Sequence, residues 1–312
     1  MRDNLVKFTL LVTLTAAGAV HAEPASRVFL NGVPTPVFFN DGDSFRVLDG
    51  VHKGTKARLA GFNTLESFGP VHQWGTWTFK ELYVIAKMAT LNARRGEWNC
   101  ESDLKKDTYG RTLWFCKDLA VDQVRKGLAH AMSVTAVPAR PELLAAQKEA
   151  IQNKQGMWAH GAPALVLTSL HSISEGGGRD GKTYNRVVSS VDGHSEPWIH
   201  TSRYGECDKV CVKVPKLGIA DVRALAQAMA GDTEVEAMFA PLNEDEQVRL
   251  LEAFWAVAPA KKDSALTGRI KASLRKLVDD GTIQPGESRA DSCHIYVDFR
   301  RRFGGGKAVC LR

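Results

Sequence analysis

Past its first two dozen residues, this 312-residue chain has no apolar run long enough to cross a bilayer, which excludes a membrane-spanning body. It has no internal repeat, which excludes a repeat architecture. It also lacks a large surplus of either charge, with 41 Lys and Arg against 35 Asp and Glu. Residues 23–160 hold 18 basic against 14 acidic side chains, and residues 161–312 hold 21 against 20. A polyanionic partner is compatible with the first part, but net charge does not decide it. Common zinc spacings are missing too. Cys207 and Cys211 form a C-x3-C pair with His194 and His200 upstream, which departs from the usual finger and knuckle patterns.

The N-terminus supplies what the rest lacks. Arg2 and Lys7 flank a short basic start, residues 8–20 are mostly apolar, and Val20-His21-Ala22 resembles a cleavage site. Residues 1–22 are therefore expected to be a signal peptide, giving a secreted or periplasmic protein from Glu23 onward with no stable membrane insertion. In that compartment an even number of cysteines favours disulfides. The six are Cys100, Cys116, Cys207, Cys211, Cys293 and Cys310. Cys100 and Cys116 flank the 107–110 turn at similar distances, so they are expected to pair, leaving the other four to pair among themselves.

A chain this long is expected to hold two domains and to act as a monomer. Residues 28–59 read as short strands separated by Asn-Gly and Asp-Gly turns, and 77–95 as an amphipathic helix. Residues 97–116 read as two strands, then 121–131 and 142–155 as helices, the latter led by Pro141. This mixture suggests a small barrel carrying helices. "SEGGGRDGK" marks 161–200 as a linker or long loop, followed by a 201–312 domain with helices at 217–231, 244–257 and 265–280. Strand-like pieces lie at 210–214 and at 294–299 with 308–311. "GGGRDGKT" at 176–183 matches a phosphate-binding loop by pattern, but its β-branched continuation offers no helix to receive a phosphate.

"NDGDSFRV" at 40–47 places Asp41 and Asp43 around a glycine ahead of an apolar alternation, which is ordinary turn chemistry by itself. Downstream come "ARLAGFNTLES", with Arg58, Asn63, Thr64 and Glu66, and "DTYGRTLWF", with Tyr109 and Arg111. Oxygen donors suit a hard cation such as Ca²⁺, and guanidinium forks match the geometry of a phosphate. Phosphodiester cleavage builds negative charge on phosphorus, which a cation and two arginines would stabilise while a glutamate activates water.

Over residues 35–160 these stretches resemble the staphylococcal nuclease, or thermonuclease, family. The D-G-D-[ST] turn, the R-L-x-G-x-x-T-x-E segment, a helix, the D-x-Y-G-R hairpin, a helix near "VRKGLAHA" and a last helix ending "NKQGMW" keep that family's order. The resemblance implies an α+β fold in which a five-stranded OB-type barrel carries three helices. It also implies calcium-dependent hydrolysis of DNA and RNA. Carried over by position, Asp43 binds the metal and Thr64 offers its backbone carbonyl. Glu66 acts on the attacking water, Arg58 and Arg111 grip the phosphate, and Tyr109 contacts the nucleotide. Asn63 stands where the family commonly has a second metal-binding aspartate, and Leu65 where it has proline. Losing that charge implies weaker calcium binding.

His72 and Trp74 in "FGPVHQWG" read as a packed loop, or else as a base-stacking surface. The C-terminal region, expected to be a smaller disulfide-bonded α+β domain, shows no such constellation. "RRRFGGGK" at 300–307 and Arg269, Lys271, Arg275 and Lys276 read as solvated surface. The whole is expected to be an exported metal-dependent phosphodiester hydrolase acting on DNA or RNA. The rival expectation is a catalytically degenerate module that binds nucleic acid or an envelope partner.

Overall fold

Alternating burial along residues 26–47 produces three antiparallel strands, β1 (Ser26–Leu30), β2 (Val33–Asp41) and β3 (Ser44–Val47). The structure is a computed structural model that describes residues 26–175, 180–258, 263–298 and 308–311; the signal segment and the 300–307 basic run lie outside the described residues. β4 (Lys56–Leu59) continues the sheet antiparallel to β3; β5 (Phe62–Thr64) and β6 (Val71–Trp74) follow outside it. β7 (Glu97–Cys100) joins β1, and β8 (Thr112–Trp114) joins β4, both parallel, giving the order β7-β1-β2-β3-β4-β8. The two edges then meet. Glu101 and Phe115 exchange backbone hydrogen bonds of 2.9 and 2.8 Å beside the Cys100–Cys116 disulfide, which curls the sheet back on itself. Its interior holds Val28, Val37, Phe39, Phe45, Leu59 and Trp114, all at most 1 % exposed.

Helix α1 (Phe79–Arg95) starts at a capping box in which the Thr78 hydroxyl takes the Glu81 N–H and the Glu81 carboxylate takes the Thr78 N–H. Helix α2 (Lys117–Arg125) is shorter than the helix expected over 121–131. The chain turns at Gly127, and 129–131 become strand β9 (Ala129–Ala131), paired with β5. Helix α3 (Pro141–Gln152) carries its proline in the first turn, where no N–H is needed.

Residues 161–200, expected as a linker or long loop, instead carry the antiparallel strands β10 (Leu165–Ser169), β11 (Thr183–Ser189) and β12 (Ser195–His200). Their glycine-rich stretch connects two strands of one sheet. Thr183 opens β11, so a strand follows the phosphate-loop pattern.

Beyond it, β13 (Lys209–Pro215), α4 (Ile219–Ala228), α5 (Thr233–Phe239), α6 (Glu244–Ala256), α7 (Ala265–Asp279) and β14 (Ser288–Ile295) complete the described chain. The final strand was expected at 294–299; it lies earlier, and residues 309–311 form a short 3₁₀ turn. Cys207–Cys310 and Cys211–Cys293 are disulfides, so the expected pairing holds. Lys271 corrects the solvated reading of the basic run, being 1 % exposed and bonded to Glu196. Arg269 pairs with Asp232 and Glu234 at 2.9 and 2.7 Å. Among the described residues no helix is long and apolar enough to cross a membrane.

Strand β6 joins the two halves. It pairs antiparallel with β14 in the sheet β13-β14-β6, so the segment read as a packed loop is a strand of the C-terminal sheet. Leu65, Trp74, Leu82, Met157, Trp158 and Val166 form one buried cluster at this junction.

Candidate active site

The Asp41-Gly42-Asp43 turn packs onto β5 and α1. A Cβ at Gly42 would lie 2.5 Å from Thr64 Cγ2 and 2.8 Å from Ala89 Cβ, so this close approach admits only glycine. Gln123, fully buried on α2, donates to the Ala89 carbonyl at 2.8 Å and supports the same contact. Asp43 is thereby held 2 % exposed, and its Oδ2 accepts the Thr64 N–H at 2.7 Å. Arg58 on β4 is half-buried and spreads its fork across the site, donating from Nη1 to Asp43 Oδ1 and from Nη2 to Asn63 Oδ1. Asn63 in turn donates from Nδ2 to the Thr64 carbonyl at 2.8 Å. Asp43, Arg58, Asn63 and Thr64 are thus one hydrogen-bonded network assembled from β3, β4 and β5.

Arg111 comes from the turn before β8. Asp107 builds that turn by accepting the N–H groups of Tyr109 and Arg111, each at 2.9 Å, and it accepts Arg111 Nε at 2.7 Å. Gly110, at φ +78°, supplies the left-handed residue that the turn requires. Arg58 registers opposite Leu113, so Arg111, two residues earlier, lies on the same face of the sheet as Arg58. Against the cost of its burial, the bonds from Arg111 hold Asp107 below the usual carboxylate range. Tyr109 is 70 % exposed, with the Arg111 guanidinium 5.5 Å from its ring centre.

Glu66 sits where these charges meet. Burial, then Asp43 and Asp41, raise its carboxyl to about 8 against the opposing pull of Arg58 and Arg111. Burial and Asp43 likewise raise Asp41 to about 7. The neighbouring carboxylates therefore disfavour one another, as expected for a site short of positive charge.

The donor set fits a hard divalent cation in kind. The Asp43 carboxylate, the Asn63 amide oxygen and the Thr64 carbonyl are all oxygens, and each keeps a lone pair beyond the hydrogen bond it accepts. Among the described residues no three His, Cys, Asp or Glu side chains are grouped to hold a metal, so an ion here would depend on amide and backbone oxygens.

Two nearby residues, His130 and Tyr184, escaped the sequence reading, and a third, His72, was read as part of a packed loop or base-stacking surface. His130 on β9 lies opposite Asn63, 1 % exposed, with Nδ1 3.2 Å from the Ala131 carbonyl and Nε2 unpartnered. Burial lowers it to about 4. Tyr184 on β11 stands beside Tyr109. His72 accepts the Glu66 N–H at Nε2, at 3.0 Å. Asn63 and Tyr109 lie far from His130 and Tyr184 in sequence, where spacing gives no signal.

A curled sheet with helices on it and a polar, arginine-containing site at the ends of β3, β4 and β5 defines an α+β protein. Residues 57–160, a third of the chain, match the family model of staphylococcal nuclease homologues, and that match does not reach the C-terminal region. The match implies an OB-type fold for this part, in a family that depends on calcium. No curated protein matches the chain.

Proposed function

We propose that the protein is an exported, metal-dependent nuclease that hydrolyses phosphodiester bonds of DNA or RNA. The observation that best supports this is the gathering of Asp43, Arg58, Asn63, Thr64, Glu66 and Arg111 into one coupled site, all but Asp43 within the segment matching the nuclease family. Arg58 and Arg111 bind the scissile phosphate and stabilise the charge that grows on it. Glu66 takes a proton from the attacking water as its oxygen bonds to phosphorus and the opposite P–O ester bond breaks, the leaving oxygen taking a proton from solvent to become a hydroxyl. Burial and the neighbouring carboxylates make Glu66 a stronger proton acceptor than an ordinary glutamate, while Arg58 and Arg111 favour the ionised form that can accept. Calcium held by Asp43, Asn63 and the Thr64 carbonyl would supply Lewis-acid stabilisation of the phosphate. Tyr109 offers an exposed ring to a base. The three disulfides suit an extracellular or periplasmic location.

One observation favours a second reading, a degenerate module that binds nucleic acid without cleaving it. Arg58 spends its two terminal amino groups as donors on Asp43 and Asn63, the groups a phosphate would have to share. Incubating the full chain with end-labelled single-stranded DNA and calcium, with and without chelator, separates the two. The nuclease reading expects cleavage that the chelator abolishes, whereas retention of intact DNA under every metal condition would support the module.

A further inference from the structure

Glu66 follows β5 closely, and β6 begins five residues after it. Its N–H donates to His72 Nε2 at 3.0 Å, so that nitrogen carries no proton. The single proton of neutral His72 is therefore on Nδ1, which faces His294 Nε2 at 2.9 Å across the β6–β14 pair. The rings lie 4.1 Å apart, 1 % and 0 % exposed, and join residues 222 positions apart in sequence.

His294 is itself held firmly. Its neighbour Cys293 is disulfide-bonded to Cys211 on β13. Asp291 accepts the N–H groups of Ala164 and Leu165, and Ser292 accepts that of Leu167, fastening β14 to β10. Burial keeps both rings neutral, lowering His294 to about 3 and His72 well below its ordinary value.

We propose that the C-terminal region holds Glu66 in its working position through His294 and His72, which makes both histidines positioning residues and the C-terminal region part of the active unit. This rests on the nuclease reading for its consequence in catalysis; the fixed tautomer stands independently of it. His294 Nε2 accepts the proton on His72 Nδ1, which leaves His72 Nε2 free to accept the amide that carries the water-activating side chain.

Two substitutions of similar size separate this from packing alone. His294→Leu removes the acceptor facing His72, and His294→Gln restores one. On single-stranded DNA, His294→Leu is expected to lower kcat about tenfold or more with KM within about twofold, and His294→Gln to recover most of the loss. Hydrogen exchange at the Glu66 amide should quicken in His294→Leu and stay slow in His294→Gln. Equal exchange at Glu66 in wild type and His294→Leu would overturn the proposal, as would equal kcat losses in the two variants. Should His294→Leu fail to fold, ¹⁵N shifts of the wild-type imidazoles decide: Nδ1–H at His72 is required, and an Nε2–H tautomer overturns it. A wild type that cleaves nothing would sink the nuclease reading while leaving the tautomer and exchange results to judge the clamp.

Discussion

Asn63 carries both a hydrogen-bond donor and an acceptor, and the site uses both. Its Oδ1 takes Arg58, and its Nδ2 donates to the Thr64 carbonyl. In Asn63→Asp, the oxygen replacing Nδ2 would face that carbonyl with no proton between them. Without metal the variant is expected to lose about 1–3 kcal/mol of stability, the cost of an unsatisfied buried polar group. With calcium the added charge should lower the half-saturating concentration about tenfold, or ~1.4 kcal/mol. Thermal melts with chelator and a calcium titration check both arms. Identical melts and identical midpoints would mean that Asn63 does not touch the ion. At this scale the sequence was informative wherever partners share a motif. The D-G-D turn and the R-L-x-G-x-x-T-x-E segment identified Asp43, Arg58, Asn63 and Thr64, which the fold joins by hydrogen bonds. His130 and Tyr184 were silent because one is a lone histidine in a short strand and the other belongs to a different sheet.

Among the elements, local signals were legible and long-range ones were not. Apolar periodicity marked the helix at 77–95 and Pro141 the start of another, whereas the glycine-rich 174–182 stretch looked like a linker although it joins two strands. Strand β6 was missed for a related reason: "VHQW" is too short to alternate visibly, and its partner β14 lies more than 200 residues away. The buried histidines gathered around this pairing give a pH-dependent expectation. His294 is lowered to about 3, His130 to about 4 and His72 well below its ordinary value, all chiefly by burial. The unfolded chain binds protons at these residues below about 6.5, where the native state does not. Their contribution is therefore whole above that pH and is lost as pH falls toward the native values. Each can cost up to ~1.4 kcal/mol per pH unit in this window. Urea unfolding at pH 7 and pH 5 is expected to show a larger loss for wild type than for His294→Gln, which has one such group fewer. Parallel losses would mean that His294 protonates as readily in the native state as in the unfolded chain.

For the molecule as a whole, the family match ends at residue 160 but the folded unit does not. Cutting there removes β14 and β10, leaving β6 with an open edge and exposing Val71, His72 and Trp74, now 1 %, 1 % and 3 % exposed. A fragment of residues 23–160 is expected to melt at least several degrees lower than the full chain and to bind a hydrophobic dye, the exposed apolar edge being the cause. Calorimetry and dye fluorescence test this, and a fragment as stable as the parent would show that the shared sheet contributes little. Two domains were an expectation from length and composition. The joining of the N- and C-terminal parts through β6 was not legible, because it depends on a pairing that no local pattern announces.

The central claim is that Arg58, Glu66 and Arg111 act together on one phosphodiester. Its most direct test is the steady-state turnover of Arg58→Ala, Glu66→Ala and Arg111→Ala on single-stranded DNA at saturating calcium, with circular dichroism confirming that each is folded. Each turnover is expected to fall at least about a hundredfold, since losing one preorganised group facing a charged transition state typically costs ~2.7–4 kcal/mol. Turnover within a few-fold of wild type for all three would contradict the claim and move the chemistry, if there is any, elsewhere in the chain.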